Sequence, residues 1–263
     1  MLFRSLKFHP ILKQTLWGGE RIIPYKELAS GLSRVGESWE LSGMPGSESV
    51  VAEGPWAGST LSELIGRFGA ELLGKANYAR FGQEFPLLVK FIDAREDLSI
   101  QVHPDDELAR KRHGKSGKCE MWYVLEAEPG ASLLTGFSRP IAPAEYERRV
   151  ADNTLTDVLN RQAIASGDVF YLPAGRVHSI GKGSFIVEIQ QSSDITYRIY
   201  DFDRRDAAGN SRELHTELAR EAIDFESSEN SRITYAPENN QEVRLVTTPY
   251  FTTSLYTLTA RTR

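Results

Sequence analysis

Residues 167–180, with the sequence GDVFYLPAGRVHSI, combine two strand-like runs with a rigid turn that leads to His178. The run Val169 to Leu172 is apolar and rich in residues that favour strands. Pro173 and Gly175 are typical of a tight turn, because proline restricts φ and glycine tolerates conformations that other residues avoid. Such a turn holds the next side chain at a fixed place and angle. This predicts that His178 meets a geometrically demanding partner, such as a metal ion.

The composition is that of an ordinary globular protein. The chain has 263 residues, of which 40% are hydrophobic and 25% charged, enough for one large all-β domain or one domain with a small appendage. The net charge of −5 argues against a nucleic-acid partner. No apolar run reaches membrane-spanning length, and no signal peptide is evident, so we expect a cytoplasmic protein without a membrane partner. Cys119 is the single cysteine, and we predict it to be a small core residue.

Many short strand-like runs separated by turn signals predict a mainly β protein, either a sandwich or a barrel. Amphipathic patterns predict a few peripheral helices, the first starting at Ser59 or Thr60 and ending at Gly74. The other helices are expected within residues 104–117, 142–160 and 212–224. Residues up to about 53 are expected to form loops and short strands, and 231–246 to be polar and turn-rich. We divide the chain into a main domain, 1–235, and the start of a C-terminal β domain, 236–263, which could be incomplete.

Alternation along two predicted strands places polar side chains on common faces. Ser99, Gln101 and His103 point one way in the run LSIQVH, and Lys118 and Glu120 share a face in GKCEMWYVL. A sheet with one solvated face explains such a pattern as well as a binding site does. The pattern alone therefore leaves both interpretations open.

The stretch that opens this section also fits a known motif. Gly167, Pro173, Gly175 and His178 occupy all four positions of the second cupin motif, although Lys182 stands where the motif ends in asparagine. Cupins are double-stranded β-helix (jelly-roll) barrels in which this histidine binds a metal. The resemblance therefore implies a cupin barrel. Together with the predicted helices and the final strand, the expected fold is a mainly β cupin barrel with a few peripheral helices and the start of a second small β domain.

Four longer strings narrow the resemblance. LSIQVHPDD (98–106), GKCEMWYVL (117–125), LPAGRVHSIG (172–181) and TYRIYDFDR (196–204) together resemble the type I mannose-6-phosphate isomerases, in their short bacterial form. PILKQTLWGGERI (10–22) and GESWELS (36–42) resemble the same branch. The first cupin motif is altered in a way this family shares, because Gln101 replaces its first histidine. Only modest helices are expected between the strands of Glu120 and His178, as in the short form.

The resemblance implies a zinc-dependent aldose–ketose isomerase that interconverts mannose 6-phosphate and fructose 6-phosphate through an enediol. It implies one zinc ion per chain, and the expected ligands are Gln101, His103, Glu120 and His178. An imidazole and carboxylate set of this kind suits zinc, with nickel, cobalt or manganese as substitutes.

The resemblance also implies the remaining site residues. The expected catalytic residues are Arg198, Glu188 and Lys118, and those expected to bind the sugar phosphate are Ser99, Lys118, Arg198 and Arg204. Glu188 could move the proton if burial raises its pKa toward neutrality, and Lys118 or a metal-bound water could do the same. Without the resemblance, Glu188 and Arg198 would be interpreted as a locally paired carboxylate and a surface arginine. The remaining histidines match nothing in the family and are expected at solvated positions: His9, His113 and His215.

Three other functions remain as alternatives. A non-catalytic metal-binding cupin that senses or binds a sugar phosphate would keep the metal ligands and the pocket cations. An iron-dependent cupin dioxygenase would use two histidines and one carboxylate, but it leaves the YRIYDFDR segment without a purpose. A structural β-sandwich leaves the spacing of the potential ligands unexplained. The oligomeric state cannot be predicted from this sequence.

Overall fold

The computed structural model describes residues 5–226 and 230–259. Within them the strands are β1 Ile11–Gly19, β2 Val35–Ser42, β3 Leu87–Ala94, β4 Ile100–Val102, β5 Glu120–Ala127, β6 Ser132–Phe137, β7 Leu159–Ala163, β8 Val169–Leu172, β9 His178–Ile180, β10 Ser184–Gln191, β11 Tyr197–Tyr200, β12 Arg232–Ile233, β13 Glu242–Thr247 and β14 Thr252–Tyr256. The helices are α1 Ile22–Tyr25, α2 Leu61–Phe68, α3 Ala70–Leu73, α4 Lys75–Phe81, α5 Asp106–His113, α6 Pro143–Ala151 and α7 Thr216–Ala222, with a 3₁₀ helix at Leu155–Val158.

Two antiparallel sheets form the body of the protein. The larger has the strand order β1-β2-β3-β10-β5-β8-β12, and the smaller has the order β11-β4-β9-β6-β7. Their inner faces pack together, since Trp122 and Phe170 of the large sheet share one apolar cluster with Leu133 and Ile180 of the small sheet. The prediction of a mainly β fold with few helices is therefore confirmed.

The helices α5, α6 and α7 cover the outer face of the small sheet. Ile100, Tyr197 and Ile199 of that sheet are buried in one cluster with Tyr146 of α6 and Ala219 of α7. Because neighbouring residues of a strand point to opposite faces, the residues between these apolar positions face the interior of the barrel. The small sheet thus presents Gln101 and Arg198 to the space between the sheets.

The helix α2 begins where the sequence predicts and ends earlier. Thr60 is its N-cap, and its hydroxyl accepts a hydrogen bond from the Glu63 N–H while the Glu63 carboxylate accepts one from the Thr60 N–H. This reciprocal pair is a capping box. The predicted end at Gly74 is wrong because the chain leaves the helix at Gly69 and forms the short helices α3 and α4 instead.

Two regions contain longer strands than their sequence indicates. β1 and β2 extend over nine and eight residues, because they pair with each other and with β3 in the large sheet. The polar stretch 231–246 contains β12 and most of β13, and β13 pairs with the last predicted strand, β14. These segments form strands because neighbouring strands provide their backbone hydrogen bonds. The polarity of the segments themselves does not indicate this.

The hairpin β13–β14 packs on the outer face of the large sheet. Leu245 and Phe251 share a buried cluster with Met121, Val169 and Cys119. Cys119 is thus a buried core residue, as predicted. The domain boundary at residue 235 stays a prediction. Across the described residues, none of the helices is sufficiently long and apolar to span a membrane.

Candidate metal centre

The strand pairing brings the potential ligands to one level of the barrel. Gln101 of β4 lies opposite His178 of β9 on one side and opposite Arg198 of β11 on the other. Directly opposed residues of adjacent strands share a face. His103 follows β4 immediately, and Glu120 begins β5 in the facing sheet.

The turn before His178 fixes both histidines. Gly175 has φ +85°, a conformation that residues with a side chain rarely adopt, and its N–H donates to the His103 carbonyl over 2.9 Å. The turn therefore joins the end of β4 to the start of β9. This is the structural reason for the Pro-Ala-Gly sequence in front of the histidine.

Three side chains converge into a cluster that could hold a metal ion. Oε2 of Glu120 lies 3.5 Å from Nε2 of His103, and Oε1 lies 3.2 Å from Nε2 of His178. One potential ligand atom from each residue lies within 4.8 Å of the others, and all three residues are buried. A carboxylate placed between two imidazole nitrogens at these distances can close on one cation with small side-chain movements.

Backbone carbonyls orient both imidazole rings. Nδ1 of His103 lies 2.8 Å from the Ile195 carbonyl oxygen, and Nδ1 of His178 lies 2.8 Å from the Arg176 carbonyl oxygen. Because a carbonyl only accepts, each Nδ1 carries the proton, and the lone pair of each Nε2 is left for the cluster. Burial lowers the pKa of His103 and of His178, so the neutral form that binds metal is favoured.

Glu120 gives a test of whether this donor set fits a metal. Neither of its buried carboxylate oxygens accepts a hydrogen bond from the described residues. Its close charged neighbour is Lys118, whose Nζ lies 2.8 Å from Oε2. Burying a carboxylate is costly unless its oxygens are satisfied. A divalent cation would satisfy them, and two imidazoles with one carboxylate suit such an ion.

Gln101 lies at the edge of the cluster. Its Nε2 is 3.2 Å from Nε2 of His178, and its Oε1 accepts a hydrogen bond from the buried Ser99 hydroxyl over 3.4 Å. Reversing the amide would direct its oxygen to the cluster instead, since the two orientations have the same shape. The geometry places Gln101 beside the cluster, and its role as a ligand stays a prediction.

Glu188 is held as a carboxylate inside the barrel. Nζ of Lys90 lies 2.9 Å from its Oε1, and the Trp122 indole N–H donates to its Oε2 over 2.9 Å. Burial alone would raise the pKa of Glu188, but the charges of Lys90 and Lys118 and these hydrogen bonds outweigh it and lower the pKa. The condition under which Glu188 could move the proton, a pKa raised by burial, is therefore not met.

Arg198 of β11 and Arg204, which follows β11, each have a buried N–H group without a hydrogen-bond partner among the described residues. Arg198 donates from Nη1 to the Glu213 carbonyl over 2.9 Å, while its buried Nε finds no hydrogen-bond partner among the described residues. Arg204 donates from Nη2 to the Asp97 carbonyl, and its buried Nη1 is likewise unsatisfied there. Burial lowers the pKa of Arg198, and Arg212 and Arg204 add to the effect. Buried cationic donors of this kind suit an anion.

The three remaining histidines differ in their positions. His9 and His113 are exposed, as predicted, and His113 also contacts the Tyr197 hydroxyl at 2.8 Å. The prediction for His215 is wrong, because this residue is half-buried and exchanges hydrogen bonds with the backbone of Arg198. His215 therefore holds the backbone of β11 at Arg198. The residues around His215 in the sequence do not indicate this contact.

Comparison with known proteins agrees with this geometry. Residues 6–136 match the family model of the phosphomannose isomerase type I catalytic domain. Mannose-6-phosphate isomerase ManA of Bacillus subtilis is 38% identical over 228 residues, which cover 86% of this chain and 70% of the relative. The chain belongs to the type I phosphomannose isomerase family. A mannose-6-phosphate isomerase of Streptococcus mutans is 37% identical over 254 residues, 95% of this chain and 77% of the relative.

A solved structure of the family has the same fold. The crystal structure of mannose 6-phosphate isomerase from B. subtilis superimposes with a TM-score of 0.85 at 33% sequence identity. The match covers 94% of this chain and 78% of that structure. The recognition of the type I phosphomannose isomerases from sequence is thereby confirmed.

One polar row in the barrel interior, apart from Glu188, was not among the site residues expected from the sequence. Trp39, Lys90, Glu188 and Trp122 are successive cross-strand partners on β2, β3, β10 and β5, and they form a row on the inner face of the large sheet. Lys90 also lies 3.9 Å from Glu37. Lys90, the single lysine in the mostly apolar run FPLLVKFIDA, is the signal that could have indicated it.

Proposed function

We propose that this chain interconverts mannose 6-phosphate and fructose 6-phosphate with the help of one zinc ion per chain. The observation that carries the proposal is the buried cluster of His103, Glu120 and His178, in which the Nε2 atom of each histidine lies within 3.5 Å of one carboxylate. Family membership supports the sugar phosphate as substrate. A charged substrate of this kind does not cross membranes unaided, and we expect the reaction in the cytoplasm.

The cluster would supply three protein ligands, and the amide oxygen of Gln101 would be a fourth. Catalytic zinc sites typically combine such a set with a position open to water or substrate. When bound, zinc supplies a Lewis acid that stabilises negative charge on the substrate oxygens while an enediol forms. The carbonyl contacts on both Nδ1 atoms keep the ligand atoms in place for this role.

The isomerisation requires a group that takes the proton from C2 and returns it at C1. Glu188 is a poor choice, because Lys90 and Trp122 hold it as a carboxylate of lowered pKa. Lys118 is better placed, since its Nζ lies 2.8 Å from Glu120 and 3.1 Å from Nε2 of His103. We assign proton transfer to Lys118, which would take the C2 proton as the neutral amine and return it at C1 as the ammonium, and we give Glu188 the role of a fixed negative charge beside it.

The phosphate end of the substrate would bind the two arginines. The free N–H groups of Arg198 and Arg204 are buried donors that a phosphate oxygen can satisfy. Ser99 lines the same side of the barrel through its contact with Gln101. Binding energy at this remote group would hold C1 and C2 of the sugar against the metal centre.

Elemental analysis of the purified protein and an isomerase assay test the proposal together. We expect about one zinc per chain, turnover of fructose 6-phosphate, and loss of turnover after chelation that added zinc restores. His178→Ala should lose both metal and activity, and His9→Ala, at an exposed histidine, should keep both. Metal and sugar-phosphate binding without turnover would instead indicate the non-catalytic cupin. Full activity in metal-free protein would refute the zinc mechanism.

A further inference from the structure

The carboxylate of Asp106, in the first turn of α5, ties three separate segments together. Its Oδ1 accepts hydrogen bonds from the Gly117 N–H over 2.8 Å and from Nε2 of Gln191 over 3.0 Å. Its Oδ2 accepts from the Tyr250 hydroxyl over 2.7 Å. A charged acceptor with three donors forms stronger hydrogen bonds than a neutral one and restrains all three partners.

The segment held by Asp106 carries two residues of the metal centre. Residues 117–119 lead into Glu120, and each has its backbone fixed. Gly117 donates to Asp106, Lys118 donates to the Pro104 carbonyl over 3.0 Å, and the Cys119 N–H donates to Oε1 of Gln191 over 2.8 Å. The first two contacts bind the segment to residues 104–106, directly after His103, and the third binds it to β10. They therefore set the distance between the carboxylate and the first imidazole.

Gly117 lies too close to α5 for any other residue. A Cβ atom at this position would lie 2.4 Å from the carbonyl carbon of Asp105 and 2.5 Å from the Asp106 nitrogen. Backbone atoms cannot move aside as the end of a flexible side chain can. The close approach shows that the path of the segment is determined by its contact with the start of α5.

The third donor comes from the C-terminal hairpin. Tyr250 lies in the turn between β13 and β14, and the Thr248 hydroxyl accepts hydrogen bonds from the Tyr250 and Phe251 N–H groups, both over 3.0 Å. Arg80 of α4 donates to the Pro249 carbonyl in the same turn. The turn thus presents the Tyr250 hydroxyl to Asp106 in a fixed orientation. Through this hydrogen bond the hairpin, on the outer face of the large sheet, is linked to the segment that leads into Glu120.

We propose that Asp106 is a positioning residue that holds Lys118 and Glu120 opposite His103, and that Tyr250 of the hairpin β13–β14 keeps Asp106 in place. The proposal rests on the isomerase function proposed above. It gives the C-terminal hairpin a part in metal binding and turnover although its buried residues pack on the outer face of the large sheet. A merely local role for Asp106, as one acid in the first turn of a helix, would not connect the hairpin to the site.

Asp106→Asn and Tyr250→Phe test the proposal, with Glu107→Gln as the matched control. Glu107 is exposed in the same helical turn, and its substitution removes the same charge without touching the network. We expect D106N to weaken zinc binding by about 10-fold or more, as loss of outer contacts does at other metal sites. Y250F should weaken it by about 3-fold, the equivalent of one hydrogen bond. E107Q should bind zinc as the unsubstituted protein does.

Two further measurements separate positioning from a general loss of structure. At saturating zinc, D106N should lower kcat while KM stays within about 2-fold, because the phosphate-binding arginines lie outside the held segment. Amide hydrogen exchange of residues 116–120 should be faster in D106N and Y250F than in E107Q. Unchanged zinc affinity and exchange in both variants would overturn the proposal. If D106N does not fold, the zinc affinity and the amide exchange of Y250F decide whether the proposal holds.

The failure of the proposed function would give a different result. In that case the unsubstituted protein would neither bind zinc nor isomerise the sugar phosphate. The exchange measurement would then still decide whether Asp106 orders residues 116–120, and equal exchange in D106N and E107Q would overturn its positioning role.

Discussion

At the scale of single residues, the ion pair between Lys90 and Glu188 has a direct consequence for stability. Both side chains are buried and their charged atoms are 2.9 Å apart. Removing one partner of such a pair costs about 3–5 kcal/mol, because the other charge stays buried alone. We expect Lys90→Met to lower the free energy of unfolding by that amount in urea at pH 7. Lys115→Met is the control, since Lys115 and Asp194 pair at the surface and should lose less than about 1 kcal/mol. Equal losses would contradict the prediction.

The same pair should make stability depend on pH. Despite burial, which raises it, the charge of Lys90 helps keep the pKa of Glu188 below its usual value. The ionised Glu188 therefore contributes stability above the unfolded pKa of about 4.3, and this is lost as pH falls through the lowered folded pKa. In K90M the charge of Lys90 is gone, so burial raises the pKa of Glu188 in the folded state above its unfolded value. The ionised Glu188 then destabilises the folded protein at high pH. Denaturation at pH 5 and pH 8 should show K90M losing more at pH 8; a loss independent of pH would count against this account.

Arg198 should affect turnover and leave the metal in place. Its buried Nε is a free donor directly across the strand pairing from Gln101. We expect Arg198→Ala to lower kcat/KM by about 100-fold or more, the usual cost of losing one charge-stabilising donor. Metal content should stay unchanged. Arg205→Ala is the control, because Arg205 is exposed and its guanidinium donates to the Gly209 carbonyl within the same turn. Near-normal kcat/KM in R198A would remove Arg198 from the reaction.

At the scale of elements, the capping box of α2 is a contribution that can be measured in isolation. The Thr60 side chain satisfies an N–H that the helix leaves free, and the adjacent Ser59 makes no such contact in the structure. Thr60→Ala should cost about 1 kcal/mol of unfolding free energy and Ser59→Ala a few tenths. Urea denaturation of the two variants provides the measurement. A larger loss in S59A than in T60A would show that the helix starts one residue earlier.

At the scale of the whole molecule, metal binding and folding should be coupled. His103 directly follows β4, His178 begins β9 and Glu120 begins β5, so the expected ligands come from two different sheets. An ion held between them would link the sheets and stabilise only the folded chain. At a free zinc concentration 100 times the Kd, the gain is about 2.7 kcal/mol. We expect a chelator to lower the melting temperature of the unsubstituted protein and not that of His178→Ala. If the chelator leaves the melting temperature of the unsubstituted protein unchanged, this would contradict a bound metal in the purified protein.

Much of the fold and the family could be predicted from short strings. The turn before His178 and the alternation of LSIQVH depend on neighbouring residues, and β4, β9 and α5 lie where these patterns place them. The predictions failed where a pairing partner, and not the residues next to a position in the sequence, decides the result. The strand β13 is polar in sequence and exists because β14 pairs with it. The half-buried position of His215 follows from its hydrogen bonds with the backbone of Arg198.

The sequence by itself determined the β architecture and the residue types that could bind a metal, because local spacing and periodicity indicate both. It determined the family through the resemblance of several short strings to known isomerases. Only the tertiary structure decided which charges meet. Glu188 and Lys90 are 98 positions apart in the sequence, and their pairing on adjacent strands lowers a pKa that burial alone would raise. Strand alternation tells which side chains share a face. The sign of a pKa shift depends on what the opposite strand places there, because Coulomb interactions and burial act through space.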